Sequence, residues 1–323
     1  MIAYLLRRAV HALVVVAAVA TLVFVLIHAA PGDPFAGSLD NPNVTEEVRA
    51  QWRRSYGLDQ PLPAQYGRYL SRLASGDMGW SFSRQQPVSA VIADSLPRTL
   101  LLVGLALVLS FAGGIALALA QARRRGKAFD RAAGGASLVL LSVPDFWLGL
   151  LLLLTFSYWI PIFPVGGMTD AVMYPHLGTG ARLLDRAHHI ALPLATLVLA
   201  AGASVARYQR AALLDVLPLD YIRGARAKGV AEGSVVGRHA LRNSLMPAIT
   251  LLGTSLPALV GGVVFVEKVF SWPGMGLVAV DAVSSRDYPL VLAVVIAGTV
   301  VVAAGNLVAD LLYRAADPRL RDA

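Results

Sequence analysis

Six long apolar segments, separated by polar stretches of very unequal length, organise the chain. They cover approximately residues 10–30, 99–122, 135–158, 190–206, 248–266 and 289–313. Each is near the roughly 20 residues that an α-helix needs to cross a hydrocarbon core about 30 Å thick. The pattern therefore predicts six membrane-spanning helices. The polar stretch 31–97 is too long for a turn. Within it, Thr45 suits the cap of a helix reaching Tyr56, with Gly57 as its stop. A second helix is predicted from Pro63 to Ser75, stopped by Gly76, with Tyr66, Tyr69, Leu70 and Leu73 on one face. The polar stretch between Tyr208 and Pro247 reads differently. Pro218 breaks the preceding helix, Asp220 suits an N-cap, a short helix runs to Lys228, and Gly229 either stops it or permits a close backbone approach. A second short helix covers about 232–244, and Pro247 opens the fifth span. Two short helices joined at a glycine make a stiff elbow.

Composition supports a membrane setting. Of 323 residues, 56% are hydrophobic and only 15% charged, against about 45–50% and 25% in an ordinary soluble domain. Mean hydropathy is +0.62. The net charge of +8 does not indicate nucleic acid, because the basic residues cluster in short stretches beside the apolar segments. Arg7 and Arg8 precede the first span, and Arg123, Arg124, Arg125 and Lys127 follow the second. Arg207, Arg210, Arg223, Arg226, Lys228, Arg238 and Arg242 follow the fourth, and Arg314, Arg319 and Arg321 close the chain. The stretches after the third and fifth spans balance their charges. Basic loops lie inside, so both termini are expected in the cytoplasm of a multi-pass membrane protein. A cleaved signal ending near Ala29-Ala30 is the alternative for the first span, but the apolar run is longer than a usual signal core. There is no cysteine, which excludes disulfides, thiolate metal sites and cysteine nucleophiles.

The expected fold class is thus an all-α integral membrane protein of six transmembrane helices. Residues 1–30 form the cytoplasmic start and first span, and 31–97 a small helical extracytoplasmic domain. Residues 98–313 form a five-helix core containing the elbow at 220–244, and 314–323 a cytoplasmic tail.

Candidate chemistry is sparse. Asp145 sits mid-span in Pro144-Asp145-Phe146-Trp147. An intramembrane carboxylate is a functional candidate by default. It lines a polar path, or it caps a half-helix broken at Pro144 with Ser142 nearby; both readings stand. Asp310 is read as an inter-helix or interface contact. His188 and His189 are sequence neighbours without an acidic or thiolate cluster, so no metal site is expected. No Gly-Lys-Ser/Thr phosphate loop exists: Gly126-Lys127 is followed by Ala128, with Gln121 where the first glycine would stand. The chain cannot use ATP itself. An intramembrane serine protease would need a glycine after Ser204, where Val205 stands, and a central intramembrane histidine. A stand-alone secondary transporter would need coupling carboxylates or matched broken helices, and Asp145 is the sole candidate.

The elbow resembles the coupling motif of ATP-binding-cassette importer permeases of the dipeptide/oligopeptide/nickel branch. The resemblance lies in Tyr221, Ile222 and Arg223 with Ala225, Arg226, Ala227, Lys228 and Gly229, either side of Gly224, then Arg238-His239-Ala240-Leu241-Arg242-Asn243 and Pro247. Pro31-Gly32-Asp33-Pro34, Tyr56-Gly57-Leu58-Asp59-Gln60-Pro61-Leu62 and Gly76-Asp77-Met78-Gly79 are similar to outer signatures of that branch. So are Phe270-Ser271-Trp272-Pro273-Gly274-Met275-Gly276, Arg286-Asp287-Tyr288-Pro289 and the end with Asn306-Leu307, Asp310, Tyr313 and Asp317-Pro318-Arg319. One departure is visible: Arg223-Gly224-Ala225 stands where the wider class has Glu-Ala-Ala, so no argument can use that glutamate. The resemblance implies a type I importer fold and one half of a translocation pathway, with no enzymatic activity and no cofactor of its own. It implies a homologous second permease, two ATPase subunits that use ATP and magnesium, an extracytoplasmic solute-binding protein, a lipid bilayer and no nucleic acid. The elbow helix would sit in an ATPase groove. The implied cargo is a small peptide, with nickel or another small solute such as glutathione as the alternative.

Overall fold

The computed structural model describes residues 2–29, 45, 47 and 60–316. Most of the helix expected over 45–56, and the motifs at 31–34, 56–59 and 317–319, lie outside the described residues. The chain runs through α1 (Ile2–Ala29), α2 (Leu62–Ala74), a two-strand hairpin β1 (Trp80–Ser81) and β2 (Gln86–Pro87), then α3 (Val88–Arg123), α4 (Ala128–Ser142) and α5 (Asp145–Leu153). A π-helical turn, Leu154–Trp159, extends α5. Then come α6 (Thr179–Val216), α7 (Asp220–Ala227) and the helical run α8, made of Glu232–Ser234, a π turn Val235–Ala240 and Leu241–Ser244. Last are α9 (Met246–Val269), α10 (Met275–Ser284) and α11 (Tyr288–Ala316).

Among the described residues, four stretches are long and apolar enough to cross a membrane: Leu6–Leu26, Val88–Arg123, Thr179–Val216 and Tyr288–Leu311. The third predicted span is not one helix. It is the pair Ala128–Ser142 and Asp145–Trp159, bent by 106°, because Pro144 has no N–H to continue the ladder and pushes Val143 into an extended conformation. The fifth predicted segment falls on α9, an unbroken run of 24 residues with Pro247 in its first turn. The second begins earlier than expected: α3 starts at Val88 and carries Pro97 within it. Large apolar side chains cover the outward faces, with Leu13 69% and Val108 64% exposed. Faces so apolar are compatible with lipid as the solvent and not with water.

Contacts divide the chain into two compact units, Met1–Thr99 with Pro273–Ala303, and Leu100–Trp272 with Ala304–Ala323. In the first, α2 packs on α1. The Tyr66 and Thr21 hydroxyls are 2.7 Å apart, and the Phe24 ring lies 5.2 Å from Tyr66 and 5.5 Å from Tyr69. The predicted apolar face of α2 is therefore the one in use. Gly76, with φ +77°, ends that helix region in the left-handed conformation that favours glycine. The hairpin was not legible as strands, since two residues per strand leave no alternation to read. It is fastened by the buried Asp287: Oδ2 accepts from Ser81 Oγ at 2.6 Å, Ser83 N at 2.9 Å and Ser83 Oγ at 2.8 Å. Three donors on one carboxylate oxygen satisfy a charge that would otherwise be costly to bury. A core of Val88, Val91, Ile92, Met275, Val278 and Leu290 lies in the same unit.

In the second unit the core gathers Leu102, Val103, Leu192, Leu197, Val263, Val266, Phe270 and Trp272. Close helix approach depends on one glycine of each of two neighbouring pairs. A Cβ on Gly114 would lie 2.7 Å from Val205 Cβ and 2.9 Å from the Gly202 carbonyl, whereas Gly113 has nothing within 4 Å. Likewise a Cβ on Gly262 would lie 2.9 Å from Asp145 Oδ2, while Gly261 faces open space.

Candidate functional site

The elbow begins where α6 stops. Leu217 closes that helix, Pro218 follows, and α7 starts at Asp220 with extended Leu219 in the capping position. The expected Asp220 cap is corrected here: Asp220 is the first helical residue and makes no cap hydrogen bond. The Leu219 carbonyl accepts from Ile222 N and Arg223 N instead, and the Asp220 side chain pairs with Arg223 at 3.4 Å. An acidic side chain in the first turn still favours the helix dipole. At the other end Gly229 has φ +77°, and its N–H donates to the Arg226 carbonyl at 2.9 Å while Val230 N donates to Ala225 O at 3.2 Å. That is the glycine stop the sequence predicts.

One side of the elbow is packed. Ile222 is fully buried with Leu213 and Leu217 of α6, Val235, Val236 and Ala240 of α8, and Ala118 and Ala122 of α3. Ala225 and Val230 pack at its margin. Polar bonds tie the two limbs together. Arg226 forks onto Glu232, Nε to Oε2 at 3.0 Å and Nη2 to Oε1 at 2.8 Å. The hydrogen bond from Arg226 holds the Glu232 carboxyl below its usual range, and the same bond raises Arg226. Both side chains are largely exposed, so the pair fixes geometry more than it adds stability. Asn243 Nδ2 donates to the Tyr221 hydroxyl at 2.7 Å, and Arg123 Nη2 to the Gly233 carbonyl at 3.3 Å. The other side of the elbow presents Tyr221, Arg223, Arg226, Ala227, Lys228 and Gly229 as exposed residues, with Gly224 half-buried. A basic, braced and exposed surface of this kind can be gripped by a partner without deforming.

Two further polar contacts, which sequence reasoning missed, hold the end of α6. Arg210 meets the buried Asp130 of α4 with Nε to Oδ1 at 2.7 Å and Nη2 to Oδ2 at 2.8 Å. Gln209 Nε2 donates to the Ser244 carbonyl at 3.1 Å and Oγ at 2.9 Å. A lone acidic residue just after the basic run 123–127 was the available signal for the first.

Asp145 stands at the bend. It is the first residue of α5, and Pro144 holds the capping position with no side-chain cap bond. Ser142 Oγ donates back to the Leu138 carbonyl at 2.9 Å. The capping reading is therefore corrected for both residues, because extended Val143 and Pro144 separate Ser142 from the α5 amides. The half-helix itself is present. Asp145 is half-buried and lies against Gly262 of α9, where only the missing Cβ leaves room for the carboxylate. The Phe146 and Phe265 rings are 6.2 Å apart beside it. His188 is bonded to the Ile162 carbonyl, and His189 Nδ1 lies 2.9 Å from the Asp185 carbonyl. Among the described residues no three metal-ligating side chains gather. Asp310 is half-buried on α11.

A family model for the inner membrane component of binding-protein-dependent transport systems matches residues 93–322, and the corresponding N-terminal model matches residues 1–103. The chain is 39% identical to the oligopeptide transport system permease protein AppB of Bacillus subtilis, over 99% of both chains. It is 38% identical to a putative peptide permease protein of Brucella suis and 38% identical to the glutathione transport system permease protein GsiC of Salmonella paratyphi A, again over 99% of each chain.

Proposed function

This chain belongs to the family of inner membrane components of binding-protein-dependent transport systems, and on that premise we propose that it is one half of an ATP-driven importer of small peptides. In this reading six spans cross the membrane: α1, α3, the broken pair α4–α5, α6, α9 and α11. Both termini and the elbow lie in the cytoplasm, as the basic stretches favour, and the segment between α1 and α3 lies outside. A homologous permease completes the pathway, and an external binding protein delivers cargo. Two ATPase subunits, which use ATP and magnesium, grip the exposed face of Tyr221–Gly229. This chain binds no cofactor and catalyses no reaction. The observation that carries the reading is the elbow, braced on one side and exposed and basic on the other. Peptide cargo is favoured by the names of the relatives; glutathione is itself a small peptide and falls within the same class.

Work enters through the elbow and must change the packing of the spans. Shifting two packings from 1:99 to 99:1 needs about 5.5 kcal/mol of differential binding, which closure of an ATPase pair on two elbows can supply. Asp145, at a mid-span break and beside Gly262, lines the path and meets the ammonium of a passing peptide. The test is uptake into proteoliposomes. With the partner subunits, uptake requires ATP; uptake by this chain alone would make it a stand-alone transporter instead. In the same assay Asp145→Asn lowers uptake of a free-amine peptide by about tenfold, the loss of one charged contact, and leaves its N-acetylated form little changed. Equal effects on both peptides would remove Asp145 from the path.

A further inference from the structure

Asp130 is 4% exposed and stands in the first turn of α4. Its carboxylate receives both arms of the Arg210 fork and the Gly126 N–H at 3.0 Å. Its carbonyl accepts from the buried Gln121 of α3 at 3.3 Å. Gln209, the residue before Arg210, is fully buried and holds Ser244 at the end of the elbow's second limb. Consecutive residues of α6 therefore clamp two different elements, the elbow through Gln209 and α4 through Arg210.

An ion pair with a buried carboxylate and a partly exposed guanidinium is a poor stability device, since desolvation of the buried charge offsets much of the attraction. What a two-point fork provides is geometry: it fixes distance and orientation together. α4 is an uninterrupted helix of 15 residues, about 22 Å long at its usual rise. Its first turn is pinned to α6, and its last residue, Ser142, adjoins the 106° bend that leads to Asp145. A rigid rod held at one end delivers movement to the other.

We propose that Asp130 and Arg210 are positioning residues that make α4 move with the end of α6, so that displacement of the elbow reaches the Val143-Pro144 bend and the Asp145 carboxylate. This rests on the elbow being the coupling element. The experiment measures peptide uptake and ATP hydrolysis together, in proteoliposomes holding the whole complex, for Asp130→Asn, the exchanged pair Asp130→Arg with Arg210→Asp, and the elbow variant Ile222→Ala. Asp130→Asn lowers uptake per ATP by about tenfold, within the range of ordinary coupling energies, in complexes assembled in normal amount, and the exchanged pair recovers part of the loss. Uptake and hydrolysis falling together in step with the amount of assembled complex would make the pair merely structural and overturn the proposal. So would an unchanged ratio in Asp130→Asn. If Ile222→Ala uncouples while Asp130→Asn does not, the transmission role fails and the elbow stands. If neither uncouples, the elbow reading fails as well.

Discussion

Ile222→Ala lowers peptide uptake at least about tenfold while the assembled complex continues to hydrolyse ATP. Ile222 is fully buried beneath α7, against Leu213, Leu217 and Val235. Truncating a buried isoleucine to alanine costs about 2–5 kcal/mol, comparable in scale to the roughly 5.5 kcal/mol that a full switch of packing requires. The loss is local to the contact through which the elbow bears on α3 and α6. The exposed face stays intact, so partner binding and hydrolysis persist, but the elbow rocks on its seat instead of moving it. Gly229→Ala acts in the same direction and more weakly. Nothing lies within 4 Å of its added Cβ, so the cost is the left-handed backbone alone, about 1–2 kcal/mol. The measurement is uptake per ATP hydrolysed, with complex quantified in each preparation. An unchanged ratio in both variants would contradict a bearing role for the packed side of the elbow.

Gly114→Val removes the folded chain from the membrane almost entirely, whereas Gly113→Ala leaves it. The two glycines are neighbours, yet one turns its hydrogen atoms into α6 and the other into open space. At 114 an added Cβ meets Val205 Cβ at 2.7 Å and the Gly202 carbonyl at 2.9 Å, and a carbonyl on a helix cannot rotate away. Overpacking of this kind typically costs 1–3 kcal/mol, and here a backbone contact adds to it. In lipid the association of helices rests on such close packing rather than on hydrophobic burial. Size-exclusion chromatography of detergent-extracted membranes reports the outcome as the amount of monodisperse complex. Equal recovery of the two variants would show that α3 and α6 can separate without penalty.

The same pair of glycines shows what a sequence can and cannot disclose. Both were readable as small residues in an apolar helix. Which of them faces a neighbour depends on the rotation of α3, about 100° per residue, and no local signal sets that. The helical class, the apolar segments and the glycine stop at Gly229 were legible because each follows from periodicity or from backbone conformation within a few residues. The break at Pro144 was only one of two open readings of an apolar run that looked like a single span, and its 106° angle had no local signal. Asp220 was misread because its capping suitability is real but Leu219 occupies the position. The roles of Asp287 and Asp130 were hidden for a different reason. Their partners, Ser81 with Ser83 and Arg210, lie far away along the chain, and only folding brings them together. Asp287 lies within the Arg286-Asp287-Tyr288-Pro289 motif, whereas Asp130 belongs to none of the motifs.

The central claim is that the exposed side of Tyr221–Gly229 is where a nucleotide-hydrolysing partner delivers force. Arg223 is the place to test it, because its side chain is 69% exposed and points away from the packed cluster. With a photoreactive amino acid at position 223 and illumination of native membranes, the account predicts one dominant cross-linked product containing an ATPase subunit. Cross-links confined to an external binding protein, or none to any ATPase while the complex is demonstrably assembled, would contradict it.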